Sequence, residues 1–151
     1  MLLAAIGDTG YNILLILHIL TMMVAFAPAF VNPILAAQTK GKDDAAWRSV
    51  LGYAAGNSMK IYGSALIVGG LLGFGIAGLS DEVYKMSQGW LATAAVLWVA
   101  MNGVLHAMII PAEKAIAGGD DSAQRKLDIG GAAITVMMIV TLYLMVFKPG
   151  L

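Results

Sequence analysis

Four long stretches free of formally charged side chains divide the chain: Thr9 to Thr39, Ile61 to Ser80, Met86 to Ala112 and Ile129 to Phe147. Each is close to or longer than the ~20 residues that carry a helix across a bilayer core. The pattern predicts transmembrane helices over about 11–37, 58–79, 87–112 and 129–147. They form an all-α, polytopic four-helix bundle, one domain over 1–151 with no soluble domain. Pro33 and Pro111 are read as the ends of helices one and three. Aligning the two halves on these prolines sets His18 opposite Val96 and His106 opposite Pro28, so the weak internal repeat builds no symmetric site.

The polar stretches between the runs supply punctuation. In TKGKDDAAWRSVLGYAAGNS a turn leads into a short amphipathic helix from about Asp43, with Asp43 and Asp44 suited to its start and Trp47 to the headgroup layer. In AEKAIAGGDDSAQRKLD, Gly118 and Gly119 end one helix and Asp120, Asp121 or Ser122 caps the next. Asp120 and Asp121 are read as a solvated loop rather than as metal ligands.

Composition agrees with a membrane chain: 60% hydrophobic, 12% charged, mean hydropathy +0.82. Nine basic and nine acidic residues leave no net charge and no footprint for nucleic acid. The absence of cysteine excludes disulfides, thiolate metal sites, iron–sulfur clusters and covalent haem attachment. The first residues lack the basic segment of a secretory signal, so helix one is expected to remain in place. Lys40, Lys42, Arg48, Lys60, Lys114, Arg125 and Lys126 lie in or beside loops one and three, against Lys85 and Lys148 on the other side. That bias predicts an inner (cytoplasmic) membrane protein with loops one and three cytoplasmic and both termini outside. Its partners are expected to be the lipid bilayer and a homo-oligomer or larger membrane complex.

Helical phase assigns each helix an inner face. Tyr11, His18, Ala25 and Asn32 recur every seven residues, with Thr21 beside them. Helix two aligns Tyr62, Gly69 and Gly73, with Gly70 and Gly75 adjacent; helix three aligns Asn102, His106 and Glu113; helix four aligns Gly131, Thr135, Met138, Leu142 and Met145. An imidazole inside an apolar run demands a partner or a ligand. At ~1.5 Å per residue, His18 lies ~10 Å from the Tyr11 end and His106 ~27 Å from Gln88 on the same side, a separation of roughly 15 Å. One haem ligated by both is disfavoured.

Opposite His18 stand Gly69, Gly70 and Gly73 with Ala92, Ala94 and Ala95. They either leave room for a flat cofactor or pack helices closely through small-xxx-small contacts. A second polar cluster gathers Asn32, Asn57, Lys60, Tyr62, Asn102 and His106, with Glu113 just beyond Pro111. It receives a headgroup, a propionate or a proton, or its members bond one another and water. Of ten methionines, only Met22 and Met138 stand as ligand candidates; the rest fill core. No nucleophile, phosphate-loop, zinc or paired-carboxylate motif occurs. A transporter reading lacks a buried carboxylate and a broken-helix pair.

LLILHIL in helix one, FVNPIL at its end, GVLHAMIIP in helix three and YLMVFKPG near the carboxyl terminus resemble HemJ-type protoporphyrinogen oxidases. They also resemble the copper-resistance D-type and uncharacterised four-helix membrane proteins near that family. His18 matches the first-helix histidine, His106 the third-helix histidine, and Lys148 with Pro149 the terminal pair. The resemblance implies that His18 is a b-type haem ligand. The chain departs from the oxidases where Val24, Ala25, Phe26 and Ala27 replace a Trp-Phe-x-Gly sequence and Ile34 replaces an arginine after the helix-one proline. It therefore looks most like an uncharacterised relative that kept the scaffold.

Two functions follow. In one, haem b binds His18, the only metal ligand assigned, with Gly69, Gly70 and Gly73 admitting the ring and Tyr62, Asn102 and His106 completing the cofactor site for membrane redox chemistry. In the other, the chain is a non-catalytic membrane subunit or assembly factor whose histidines are structural.

Overall fold

The computed structural model describes residues 6–150, and readings of the extreme termini fall outside them. Among the described residues, four helices are long and apolar enough to cross a membrane: α1 (Thr9–Thr39), α2 (Asp44–Gly78), α3 (Gly89–Ala117) and α4 (Asp121–Phe147). The protein is an all-α four-helix bundle of the multi-pass membrane type. α1 packs chiefly on α2 and α3 on α4, whereas α1 and α4 touch only sparsely.

Each helix sends one side chain into the central layer: Phe26, Leu66, Met101 and Met138. Met101 is completely buried. Because lipid tails are as apolar as these side chains, the layer stabilises through close van der Waals contact rather than through escape from water. The opposite faces carry apolar residues with no protein neighbour to cover them, among them Ile16, Val96 and Val146, as a lipid-facing surface requires. The turn after α2 is pinned by Ser80, whose hydroxyl donates to the Ala77 carbonyl at 2.7 Å and accepts from the Tyr84 amide at 2.8 Å.

The prolines do not end their helices. Pro28 and Pro33 lie inside α1, which continues to Thr39. Each removes one backbone donor, a loss that a long apolar helix tolerates. In α3 the chain passes through a π-helical turn at Leu105–Ile109 and continues as Ile110–Ala117 with Pro111 in its first turn. The wider turn relieves the clash between the proline ring and the carbonyl four residues back.

The amphipathic segment is likewise not a separate helix. Asp44–Asn57 runs into the membrane portion of α2 through a second π-helical turn, Ser58–Gly63. At 35 residues α2 is roughly 50 Å long, well beyond the ~30 Å hydrocarbon core. Its Asp44 end packs on Ile110–Ala117, and together they form a cap over one end of the bundle. Trp47, expected in the headgroup layer, is instead buried in this cap with Leu51 and Ile116. Its indole N–H donates to Gln124 Oε1 at 3.2 Å.

The predicted caps form. The Asp43 carboxylate accepts from the Ala46 amide at 2.9 Å, and Gly119 leaves α3 with φ of 103°. Asp120 accepts from the amide and hydroxyl of Ser122, bonds that hold its carboxyl below the usual aspartate range. Asp121 pairs with Arg48 at 2.9 Å, joining the cap to α4, and Asp128 with Lys40 at 3.0 Å, joining the end of α1 to α4. On α4 one face assignment fails: Leu142 is 51% exposed, while Thr141 and Leu144 are buried. At about 100° per residue Leu142 lies about 40° past Met138 around α4, on the side away from Thr141 and Leu144, whereas Met145, about 20° to the other side, still packs in the core.

Candidate functional site

The heptad stripe of α1 faces the bundle as expected: Tyr11 is buried and His18, Ala25 and Asn32 are half-buried. His18 Nδ1 lies 2.7 Å from the Gly69 carbonyl oxygen. A carbonyl only accepts, so Nδ1 carries a proton, and Nε2 is the nitrogen left outside this bond. Three residues earlier on α2, the Leu66 carbonyl accepts from Trp98 Nε1 at 2.8 Å. Donors from α1 and α3 thus reach α2 backbone acceptors where small residues leave the helix surface low.

The space beside these glycines belongs to the chain's own side chains. A Cβ at Gly70 would overlap the Trp98 indole, one at Gly69 would overlap Met22, and one at Gly73 would lie 3.1 Å from His18 Cε1. The residues present therefore do not fit a porphyrin within this face. The arrangement is the close small-residue packing that the sequence left as the other reading. Met22 is a filler of the Gly69 notch, and Met138 belongs to the central layer.

His106 lies far from His18. A Cβ at Gly63 would come within 3.3 Å of His106 Cε1, ten residues, or about 15 Å, along α2 from Gly73. The predicted shared face of Asn102, His106 and Glu113 does not exist: His106 is exposed and Glu113 is fully buried. The π-helical turn between them adds a residue to the helical repeat, and one residue turns the face by about 100°. His106 Nδ1 donates to the Asn102 carbonyl at 3.0 Å, serving an acceptor at the start of that turn. Asn102 Nδ2 donates to the Trp98 carbonyl at 2.9 Å, while its Oδ1 is buried without a partner. Lys60 is exposed, and Asn57 bonds the Tyr53 carbonyl.

What remains of the second cluster surrounds a cleft of about 530 Å³ between α1 and α4, under the cap. Its walls are apolar, from Phe26, Pro28, Leu66, Leu105 and Ile134 among others, and its polar lining includes Asn32, Ser58, Tyr62, Glu113 and Thr135. A smaller depression of about 340 Å³ adjoins it at Pro28, Asn32 and Tyr62. Glu113 is 0% exposed. Neither of its oxygens has a hydrogen-bond partner, although the buried Ser58 side chain stands beside it. The two π-helical turns touch each other next to this cleft. Such turns gather at functional sites, because they redirect side chains that a regular helix would hold elsewhere.

Of the residues assigned from sequence, Tyr62 lines the cleft, whereas His18, Gly69, Gly70 and Gly73 form the packed face and Asn102 and His106 lie on α3 between the two. The expected lack of a buried carboxylate is reversed by Glu113, while α2 and α3 run on unbroken through their π-helical turns. Among the described residues no three His, Asp or Glu side chains cluster as metal ligands. Compared with known proteins, the chain matches no family model, no curated protein and no solved structure.

A buried polar group without a partner costs about 1–3 kcal/mol. Replacement of Glu113 by leucine is therefore expected to stabilise the bundle by about 1–2 kcal/mol, seen as a higher unfolding temperature in mild detergent. A lower unfolding temperature would show that the carboxyl is satisfied within the fold.

Proposed function

We propose that the chain is a membrane-embedded binding protein that takes an amphipathic small molecule into the cleft between α1 and α4. The observation that carries this reading is the fully buried Glu113 carboxyl, neither oxygen of which meets a hydrogen-bond partner, at a predominantly apolar cleft. The volume falls within the roughly 300–1,000 Å³ of small-molecule sites, and an apolar wall with a few convergent polar groups is their usual chemistry. An ionisable residue inside a membrane protein is by default a functional one. The sparse contact of α1 with α4 leaves a side entrance from the lipid.

A photoreactive diazirine alkyl alcohol, irradiated with the protein in phosphatidylcholine nanodiscs, is expected to label residues lining the cleft. Gly131 lines it, and a Cβ built there meets no atom within 4 Å, so Gly131→Leu is expected to narrow the cleft. Labelling should then fall several-fold; adducts spread over the lipid-facing surfaces and indifferent to Gly131→Leu would sink the proposal.

The cap end, which carries most of the basic residues, is proposed to face the cytoplasm of an inner membrane. The cysteine-free chain makes this directly testable. A single cysteine at Glu82 should react with an impermeant maleimide in intact cells and one at Ser122 should not; the opposite pattern reverses the orientation.

A second reading, b-type haem on His18, is favoured by the Nδ1–H bond to the Gly69 carbonyl, which orients the ring and leaves Nε2 as a donor atom. Haem held there would supply one-electron chemistry. The glycine face being filled, the ring would have to meet His18 outside it. Protein reconstituted with haemin is expected to show a Soret band that His18→Ala abolishes and His106→Ala retains. A colourless protein ends this reading.

A further inference from the structure

We infer that the group received at the Glu113 end of the cleft is a primary ammonium on an apolar body. The inference rests on the cleft being a binding site and adds the chemistry of its ligand.

Charge decides it first. The ionisable lining groups of opposite or like sign to a ligand are Glu113 and Asp128, both acidic, besides the Tyr62 hydroxyl. Asp128 is already engaged by Lys40 at 3.0 Å and by Gln124 Nε2 at 2.8 Å. Glu113 has no such companion: Lys60, His106 and Lys114 are exposed, and none forms an ion pair with it. A carboxylate or phosphate entering here would meet carboxyl groups with no lining cation to offset them, in surroundings where charges are weakly screened.

Donor count decides it next. A primary ammonium has three N–H donors and no acceptor. The cleft offers the Glu113 carboxyl and the hydroxyls of Ser58 and Tyr62, each able to accept, and Ser58 stands beside Glu113. The rings of Phe26, Trp47 and Tyr62 also line it, and aromatic faces attract cations. A quaternary ammonium would use the rings but leave the carboxyl without a donor. An alcohol would satisfy one oxygen without the added strength of a charge-assisted bond.

Three diazirine probes with the same alkyl chain, ending in ammonium, hydroxyl or carboxylate, decide the matter in phosphatidylcholine nanodiscs. Half-maximal labelling of the cleft is referred to the concentration of each probe in the bilayer. The ammonium is expected to label at a concentration roughly 10- to 100-fold below the alcohol, with the carboxylate weakest. Glu113→Gln should remove the ammonium preference, so that the ammonium and alcohol probes label at similar concentrations in the bilayer. The ranking in unaltered protein is decisive by itself should the variant fail to fold. Equal labelling by ammonium and alcohol overturns the ammonium inference and leaves the cleft as a binding site. A preference for the carboxylate overturns it too, by showing Glu113 acting as a donor. Failure of all three probes to label the cleft overturns both. Addition of phosphatidylethanolamine then separates two sources of the same group: displacement of the probe assigns the ammonium to a lipid headgroup, and no displacement assigns it to a free amine.

Discussion

Within lipid, a helix has no water to satisfy its backbone, so every departure from the regular ladder must be covered by protein. In this chain α2 is the element on which that requirement converges. Its Leu66 and Gly69 carbonyls take additional donors from Trp98 on α3 and His18 on α1. Its irregular turn, Ser58–Gly63, lies against the irregular turn of α3. Neither π-helical turn stands alone in the bilayer; each is shielded by the other and by the cap formed from Asp44–Asn57 and Ile110–Ala117. The bundle is thus organised around polar backbone being met by neighbouring helices, with the Phe26, Leu66, Met101 and Met138 layer holding those neighbours at packing distance.

The same irregularity that needs covering also builds the cleft. A regular α3 would carry Glu113 on the face of His106, exposed at the rim. The π-helical turn rotates it inward, where its carboxyl has only the Ser58 hydroxyl beside it and neither oxygen meets a hydrogen-bond partner. Folding alone gains nothing from that placement, since an apolar residue would serve the interior better. A group held in an unfavourable setting by the surrounding structure is what binding sites commonly contain. By contrast, the His18 region is fully accounted for by packing and one backbone hydrogen bond.

Much of the fold was legible in the residue pattern. The four uncharged runs give the four helices, the α1 stripe gives its buried face, and Asp43 and Gly119 mark ends as their chemistry dictates. The errors on α2 and α3 share one cause. Proline at 111 reads locally as a stop, and the stretch ending at Ser58 reads as a loop that precedes helix two, because a sequence pattern assumes a constant helical repeat. A π-helical turn breaks that assumption, so α2 and α3 run longer than their apolar stretches and the face of Glu113 changes. The burial of Glu113 also depends on the tertiary cap, which no local spacing encodes. The polar cluster was visible as a set of residues; which member would be enclosed was not.

The filled glycine face bears on how the chain can change over evolutionary time. Gly70 and Trp98 occupy a single shared volume, the indole extending over the helix where a side chain at 70 would stand. Trp98 also supplies the donor that the Leu66 carbonyl receives. Enlarging position 70 alone expels the ring and strips that carbonyl of its extra bond, while reducing position 98 alone opens a void. The two positions behave as one inheritable character, and a lineage can move between solutions only by exchanging both.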